Sequence, residues 1–322
     1  MPLKFYKPIT KNKTIIINGS QKSHNSDLCI FAYHNPFGVI PSIHKYHISE
    51  LSNAKMDILF VSAGQLLDEE IEKIRPFVSK IIIRNSFGRD FGSYYQAFSI
   101  VKDFRKYFSV LFLNDSIYGP FYSLNKILDI GKKKECDIFG ITDSWDKSYH
   151  LQSYFLLVKE HCIQSGFLNN FFNTIQLKND RDYIIDHFEI GLSTRALLSK
   201  LKLSAFCNAK DVINFTKKRL ILEQNSNIGI NKLFFDTLSM NNINTTLFCW
   251  KDLIESFGMP YIKRSLLTSY SSSNPYYIMI PDAFTWKSVI SKVSPALVSE
   301  IEYDLKIHSA ANWYSSVKRG AF

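Results

Sequence analysis

Four short apolar runs constrain this chain most: LCIFAY (28–33), DILFVSA (57–63), KIIIRN (80–85) and SVLFLND (109–115). Each is rich in β-branched and aromatic residues and reads as a buried strand. The spacing predicts helices between them, over 42–55, 66–77 (with Pro76 near its end) and 93–108. Strand and helix alternating at this interval predict an α/β fold, with a mostly parallel sheet flanked by helices on both faces.

The pattern changes after Asp115. Two further strand candidates, CDIFGIT (136–142) and HLQSYFLLV (150–158), stand close together, and helical segments dominate from about residue 160, so the sheet is expected to finish there. The stretch SYSSSNPYY (269–277) reads as a linker to a helical C-terminal appendage. At the other end, residues 1–27 read as a basic arm, with Lys4, Lys7, Lys11, Lys13 and Lys22 and no acidic residue among the first 26. Hydrophobic residues at 46% and charged residues at 21% exclude a disordered chain, a collagen-like fibre and a coiled coil. No uninterrupted apolar run is long enough to span a membrane, and the first residues lack a signal-peptide core. Cys29, Cys136, Cys162, Cys207 and Cys249 are scattered and form no CxxC pair, which argues against a disulfide scaffold or a structural zinc site and favours the cytoplasm.

In open parallel sheets ligands bind at the carboxyl ends of the strands, so the residues that follow each run carry the chemistry. After the first run stand His34 and Asn35. After the third comes RNSFGRDFGS, with Arg84, Gly88, Arg89, Asp90 and Gly92. Its glycines admit a close backbone approach, its arginines can grip phosphate, its aspartate can accept a ribose hydroxyl, and it opens a helix whose first amides favour an anion. The plainer reading is a tight strand-to-helix turn with surface ion pairs. After the fourth run, Asn114 and Asp115 in LNDSIYGP place a carboxylate where a hard divalent cation bridging a diphosphate would sit; the plainer reading is a turn-capping aspartate.

With these motifs the chain resembles the rhamnan synthesis protein F family of rhamnosyltransferases and, more broadly, GT-A glycosyltransferases. The matching pieces are RNSFGRDFGS (84–93), LNDSIYGP (113–120), the stretch 140–158 containing HLQSYF, and GMPYIKRSLL (258–267), in that order. Ser86 stands where the family pattern has Asn two residues before the glycine. The resemblance implies a GT-A-like domain over 28–268, with a donor half over about 28–160 and an acceptor half over about 161–268. It implies a nucleotide-sugar donor held by His34, Arg84, Gly88, Arg89, Asp90, Asn114 and Asp115, with Mg²⁺ or Mn²⁺ on Asp115. Trp145, His150, Gln152 and Lys263 are the acceptor-side candidates. The segment HFEIGLSTRALLSKLKL (187–203) resembles the part of inverting GT-A enzymes that carries the base, which would be Glu189, with Leu192 and Arg195 at compatible spacings. Asp143 is the rival base, near Trp145, Tyr149 and His150.

The implied reaction moves L-rhamnose from dTDP-L-rhamnose, with inversion, to a hydroxyl of a lipid-linked cell-surface polysaccharide. The implied location is the inner face of the cell membrane, held peripherally by the basic arm and by Trp313, Tyr314, Lys318 and Arg319. Two other classes stand beside this reading. A net charge of +10 with 15% aromatics suggests a nucleic-acid binder, but the basic residues form no recognised motif. A non-catalytic sugar-binding or scaffold domain would keep the fold and lose the acidic residues, whereas Asp90, Asp115 and Glu189 are present.

Overall fold

The computed structural model describes residues 14–23, 26–101, 103–222, 228–239, 243–269, 280 and 283–319. Its principal sheet has nine strands among these residues. They are β1 (Ile15–Asn18), β2 (Asp27–Tyr33), β3 (Asp57–Ala63), β4 (Lys80–Arg84), β5 (Ser109–Asn114), β7 (Ile138–Ser144), β8 (His150–Leu151), β9 (Phe155–Lys159) and β10 (Leu203–Cys207). A two-stranded ribbon pairs β6 (Ile117–Tyr118) with β11 (Ile262–Lys263). The four runs become β2 to β5, which lie side by side in the order β4-β3-β2-β5 and are all parallel, as expected of the GT-A-like sheet.

Side-chain alternation explains the two-sided burial. Cys29, Phe31 and Tyr33 of β2 enter one core, and Leu28, Ile30 and Ala32 enter the other. Ile58 and Phe60 of β3, and Leu111 and Leu113 of β5, follow the first set; Leu59, Val61, Val110 and Phe112 follow the second. A period of two thus feeds two cores from one strand, and this is why the runs carry no polar alternation. Helix α1 (Ser42–Asn53) packs Ile43, Ile48 and Leu51 on the first face. After α2 (Asp68–Ile74), α3 (Arg89–Ile100) packs Phe91, Tyr94 and Ala97 on the second face, and α4 (Leu124–Lys133) returns to the first.

The structure corrects the sequence reading at four places. The sheet does not finish near residue 160, because β10 adds to its edge, parallel to β7. Most of LSAFC is only half-buried, so this edge strand lacks the continuous apolar signal of the centre. Within the expected arm, Ile15–Asn18 pairs antiparallel with β4 at the opposite edge; Lys4, Lys7, Lys11 and Lys13 lie outside the described residues. The helix expected over 93–108 begins at Arg89 and ends at Ile100, where Val101 turns extended. The run 150–158 splits into β8 and β9, with Gln152, Ser153 and Tyr154 turning between them.

The C-terminal segment is more than an outlying appendage. Helix Trp286–Val293 and the early part of helix Ala296–Arg319 place Trp286, Val289, Ile290, Leu297 and Ile301 in the same core as β2 and α1. Most of 269–277 lies outside the described residues, as do the side chains of Trp313, Tyr314, Lys318 and Arg319. All five cysteines are buried and free.

Candidate active site

The strand order reverses at β2, with β3 on one side and β5 on the other, and a cleft of about 610 Å³ opens beyond the carboxyl ends of these strands. Five chain segments converge there: His34 after β2, Ser86 with Arg89 to Phe91 at the start of α3, Asn114 to Ser116 at the end of β5, Ser153 and Tyr154 before β9, and Lys263 of β11 with Arg264, Ser265 and Thr268. Asn179, Arg181, Ile184, Ile185 and Glu189 close the remaining wall.

The loop from β4 to α3 is organised by Arg84. This guanidinium is buried and donates to the Ser93 hydroxyl at 3.0 Å and to the backbone carbonyls of Asn85 (2.7 Å), Phe87 (2.6 Å) and Arg89. Burial lowers its pKa to about 10. Gly88 turns the chain with φ +79°, and a Cβ at Gly92 would stand 2.2 Å from the Phe87 carbonyl oxygen and 2.7 Å from Arg84 Nη2. Arg84 and Gly88, both expected at the donor, therefore build the loop and do not line the cleft. The loop delivers Arg89 and Asp90 to the cleft. Burial, followed by the neighbouring Asp115, raises the Asp90 pKa to about 7. The Asn114 side-chain amide donates to Asp90 at 2.9 Å, and its carbonyl oxygen accepts from the Ser116 backbone N–H at 3.0 Å.

Asp115 is buried at the cleft floor. Its Oδ2 accepts from the His34 backbone N–H at 3.3 Å and pairs with Arg264 Nη1 at 3.2 Å. Burial alone would raise its pKa; the Arg264 charge overrides this and holds the carboxyl below its ordinary value. The expected Mg²⁺ or Mn²⁺ role fits this arrangement poorly, since the half-buried Arg264 guanidinium already pairs with Asp115 Oδ2. No group of three His, Cys, Asp or Glu side chains placed to hold a metal occurs among the described residues.

The opposite wall of the cleft is set by a π-helical turn, Ile185–Glu189, between helix Arg181–Ile184 and helix Ile190–Leu198. Such turns displace side chains from α-helical register. Glu189 Oε2 accepts from the Ser153 backbone N–H at 2.9 Å and from its hydroxyl, while Oε1 lies 3.7 Å from His150 Nε2. His150 thus stands behind Glu189 and not in the cleft. Lys263 does line the cleft, 5.3 Å over the Tyr154 ring; burial depresses its pKa and Glu189 counteracts this. Arg195 points elsewhere, donating to Thr174 at 2.9 Å.

The remaining acceptor candidates and the rival base Asp143 stand outside the cleft. Gln152 is buried between Thr142 and Asn244, and Trp145 is exposed against Tyr149. Asp143 lies inside β7, fully buried, accepting from the Ala209 backbone N–H at 2.6 Å and from the Asn208 amide at 3.0 Å. Burial raises its pKa. It fixes the start of helix Ala209–Leu222. Sequence reasoning passed over Arg264, Asn179, Arg181, Ser153, Ser265 and Thr268 in the cleft; only Ser153, inside HLQSYF, and Arg264 and Ser265, inside GMPYIKRSLL, carried a signal.

Fold and cleft define the class first: an α/β protein with a polar, cation-rich site at the point where its strand order reverses. The chain belongs to the rhamnan synthesis protein F family, whose model matches residues 58–260. Virulence protein VirA of Vibrio anguillarum is 28% identical over 228 residues, which cover 68% of this chain and 71% of that one. Among solved structures, a candidate nucleotide-diphospho-sugar transferase of Desulfovibrio desulfuricans G20 matches at 12% identity and TM-score 0.37, covering 69% of this chain and all of that one. The glycosyltransferase GlyE of Streptococcus pneumoniae TIGR4 matches at 10% identity and TM-score 0.37, covering 88% of this chain and 64% of that one. Membership of that family supports a glycosyltransferase.

Proposed function

We propose that this chain transfers L-rhamnose from dTDP-L-rhamnose to a hydroxyl of a lipid-linked cell-surface polysaccharide, with inversion at the anomeric carbon. One observation carries the reading: the Glu189 carboxylate shares a single cleft with Arg89, Arg181 and Arg264. A base and a cluster of cations are what glycosyl transfer to a hydroxyl requires. The acceptor oxygen bonds to the anomeric carbon as its proton passes to Glu189. The bond from that carbon to the diphosphate oxygen breaks, and its electron pair leaves with the nucleoside diphosphate. Ser153 and His150 hold the carboxylate in place. Arg89 and Asp90 serve the diphosphate and nucleoside side, while Lys263 faces the acceptor.

A lipid-linked acceptor puts the reaction at the cytoplasmic face of a membrane. No helix among the described residues is long and apolar enough to cross one; the contact in this reading is peripheral, with each basic residue near an anionic leaflet contributing about 1 kcal/mol. Incubation with a panel of nucleotide sugars and a lipid-linked glycan tests the assignment. dTDP-L-rhamnose should be the productive donor, and exclusive use of another sugar would refute rhamnose. Glu189→Gln should lower turnover by about 10²- to 10⁴-fold with donor affinity preserved.

A further inference from the structure

We propose that Arg264, and not a divalent ion, supplies the positive charge that receives the departing diphosphate in this cleft. The inference rests on the nucleotide-sugar reading above and deepens it. The Asp115–Arg264 pair is built into the fold. The ribbon of β6 and β11 joins the residues just after Asp115 to those just before Arg264, with Lys263 paired to Ile117, and the Arg264 backbone N–H donates to the Ser116 carbonyl at 2.8 Å. Sequence neighbours on both sides of the pair are thus locked together, although the pair itself is separated by 149 positions.

Behind the guanidinium stands a second set of groups from the C-terminal helix. Arg264 Nη1 lies 3.1 Å from His308 Nε2, and His308 lies 3.5 Å from Asp304 Oδ2. Burial and the Arg264 charge lower the His308 pKa to about 4, so its imidazole is neutral at physiological pH and its bare nitrogen accepts from the guanidinium. Asp304 is fully buried and accepts from the Tyr118 hydroxyl at 2.7 Å. The partners described for the guanidinium, Asp115 and His308, both meet Nη1. The side chain borders the cleft at 20% exposure, and among the described residues neither of those partners meets its Nε or Nη2.

A divalent ion on Asp115 Oδ2 would meet the Arg264 charge at the same oxygen and would have to displace it, leaving a half-buried cation without its carboxylate. A guanidinium already seated there presents a planar set of donors that matches phosphate geometry, and it needs no reorganisation as charge develops on the leaving oxygen. Arg89 and Arg181 border the same cleft and add to its positive potential.

Isothermal titration calorimetry of the full chain with dTDP, in chelator and then in Mg²⁺ or Mn²⁺, tests this. The expected dissociation constants agree within about threefold. In chelator, Arg264→Gln should weaken dTDP binding about tenfold or more, and Arg264→Lys less. If Arg264→Gln does not fold, the paired change Asp115→Asn with Arg264→Gln removes both charges of the pair and should show the same loss. Binding that chelator abolishes and Mg²⁺ or Mn²⁺ restores would overturn the inference while the glycosyltransferase reading stands. Undiminished binding by the uncharged pair in chelator would overturn it too. Failure of dTDP, UDP and GDP to bind under any condition would overturn both.

Discussion

The two walls of the cleft are made differently. The wall proposed for the donor, the donor wall below, comes from loops that directly follow β2, β4 and β5, so each of its cleft-lining side chains lies within a few positions of an apolar run that announces it. The cationic wall is assembled from the β11 ribbon, a π-helical turn and the C-terminal helix, and its key contacts cross long stretches of chain: 149 positions for Arg264 with Asp115 and 186 for Tyr118 with Asp304. Strand periodicity thus places one wall, and tertiary packing places the other. The C-terminal helix matters to the site because Asp304 and His308 reach the back of Arg264, and because the helix lies against α1, whose His44 stands 3.6 Å from Asp304.

The largest effect should come from removing the group that ties the second wall together. Asp304→Ala deprives the buried Tyr118 hydroxyl of its acceptor and leaves His44 and His308 facing a cavity. The expected loss is about 3 kcal/mol or more of folding stability, read as a lower denaturant midpoint. Weaker dTDP binding should accompany it. If stability and affinity both match the native chain, the C-terminal helix is an appendage after all and the contrast between the walls collapses.

Arg84 probes the first wall in the same way. Arg84→Met keeps most of the volume and removes the donors to Ser93 and to three backbone carbonyls, at an expected cost of about 2 kcal/mol. Arg89 and Asp90 ride on that loop, so donor affinity should fall while Glu189 keeps its Ser153 partners. A variant with native stability but lost affinity would mean that Arg84 turns to the ligand directly.

The boundary between legible and illegible falls where this contrast predicts. Arg89, Asp90, Asn114 and Asp115 were found because strand ends in an α/β sheet are where side chains leave the core. Glu189 and Lys263 came from motif order, not from any local physical signal. Asp143 was misread because apolar character fades after Ile141, whereas backbone pairing with β8 carries the strand on to Ser144. Its partners, Asn208 and Ala209, lie 65 and 66 positions away, beyond any periodicity. Arg84 was read as a phosphate ligand because arginine after a strand suits both roles; only the fold shows its donors already taken by the loop. Nor does anything near LNDSIYGP reveal that Arg264 reaches Asp115, the contact on which the metal expectation turns.

The smallest expected effect is the most specific to the electrostatics of the donor wall. Burial and the Asp115 charge raise the Asp90 pKa to about 7 in the folded chain, against 3.8 for an ordinary aspartate. Between these values the folded chain binds a proton at Asp90 that the unfolded chain does not, so stability falls as pH rises through that window, and the full penalty stands above pH 7. Asp90→Asn removes the charge while its side-chain carbonyl can still accept from the Asn114 amide. The variant should therefore melt a few degrees above the native chain at about pH 8 and close to it at about pH 5. Thermal denaturation at the two pH values reads the difference directly. A gap of equal size at both would show that Asp90 does not titrate in this range and that the donor wall carries its second carboxylate fully charged.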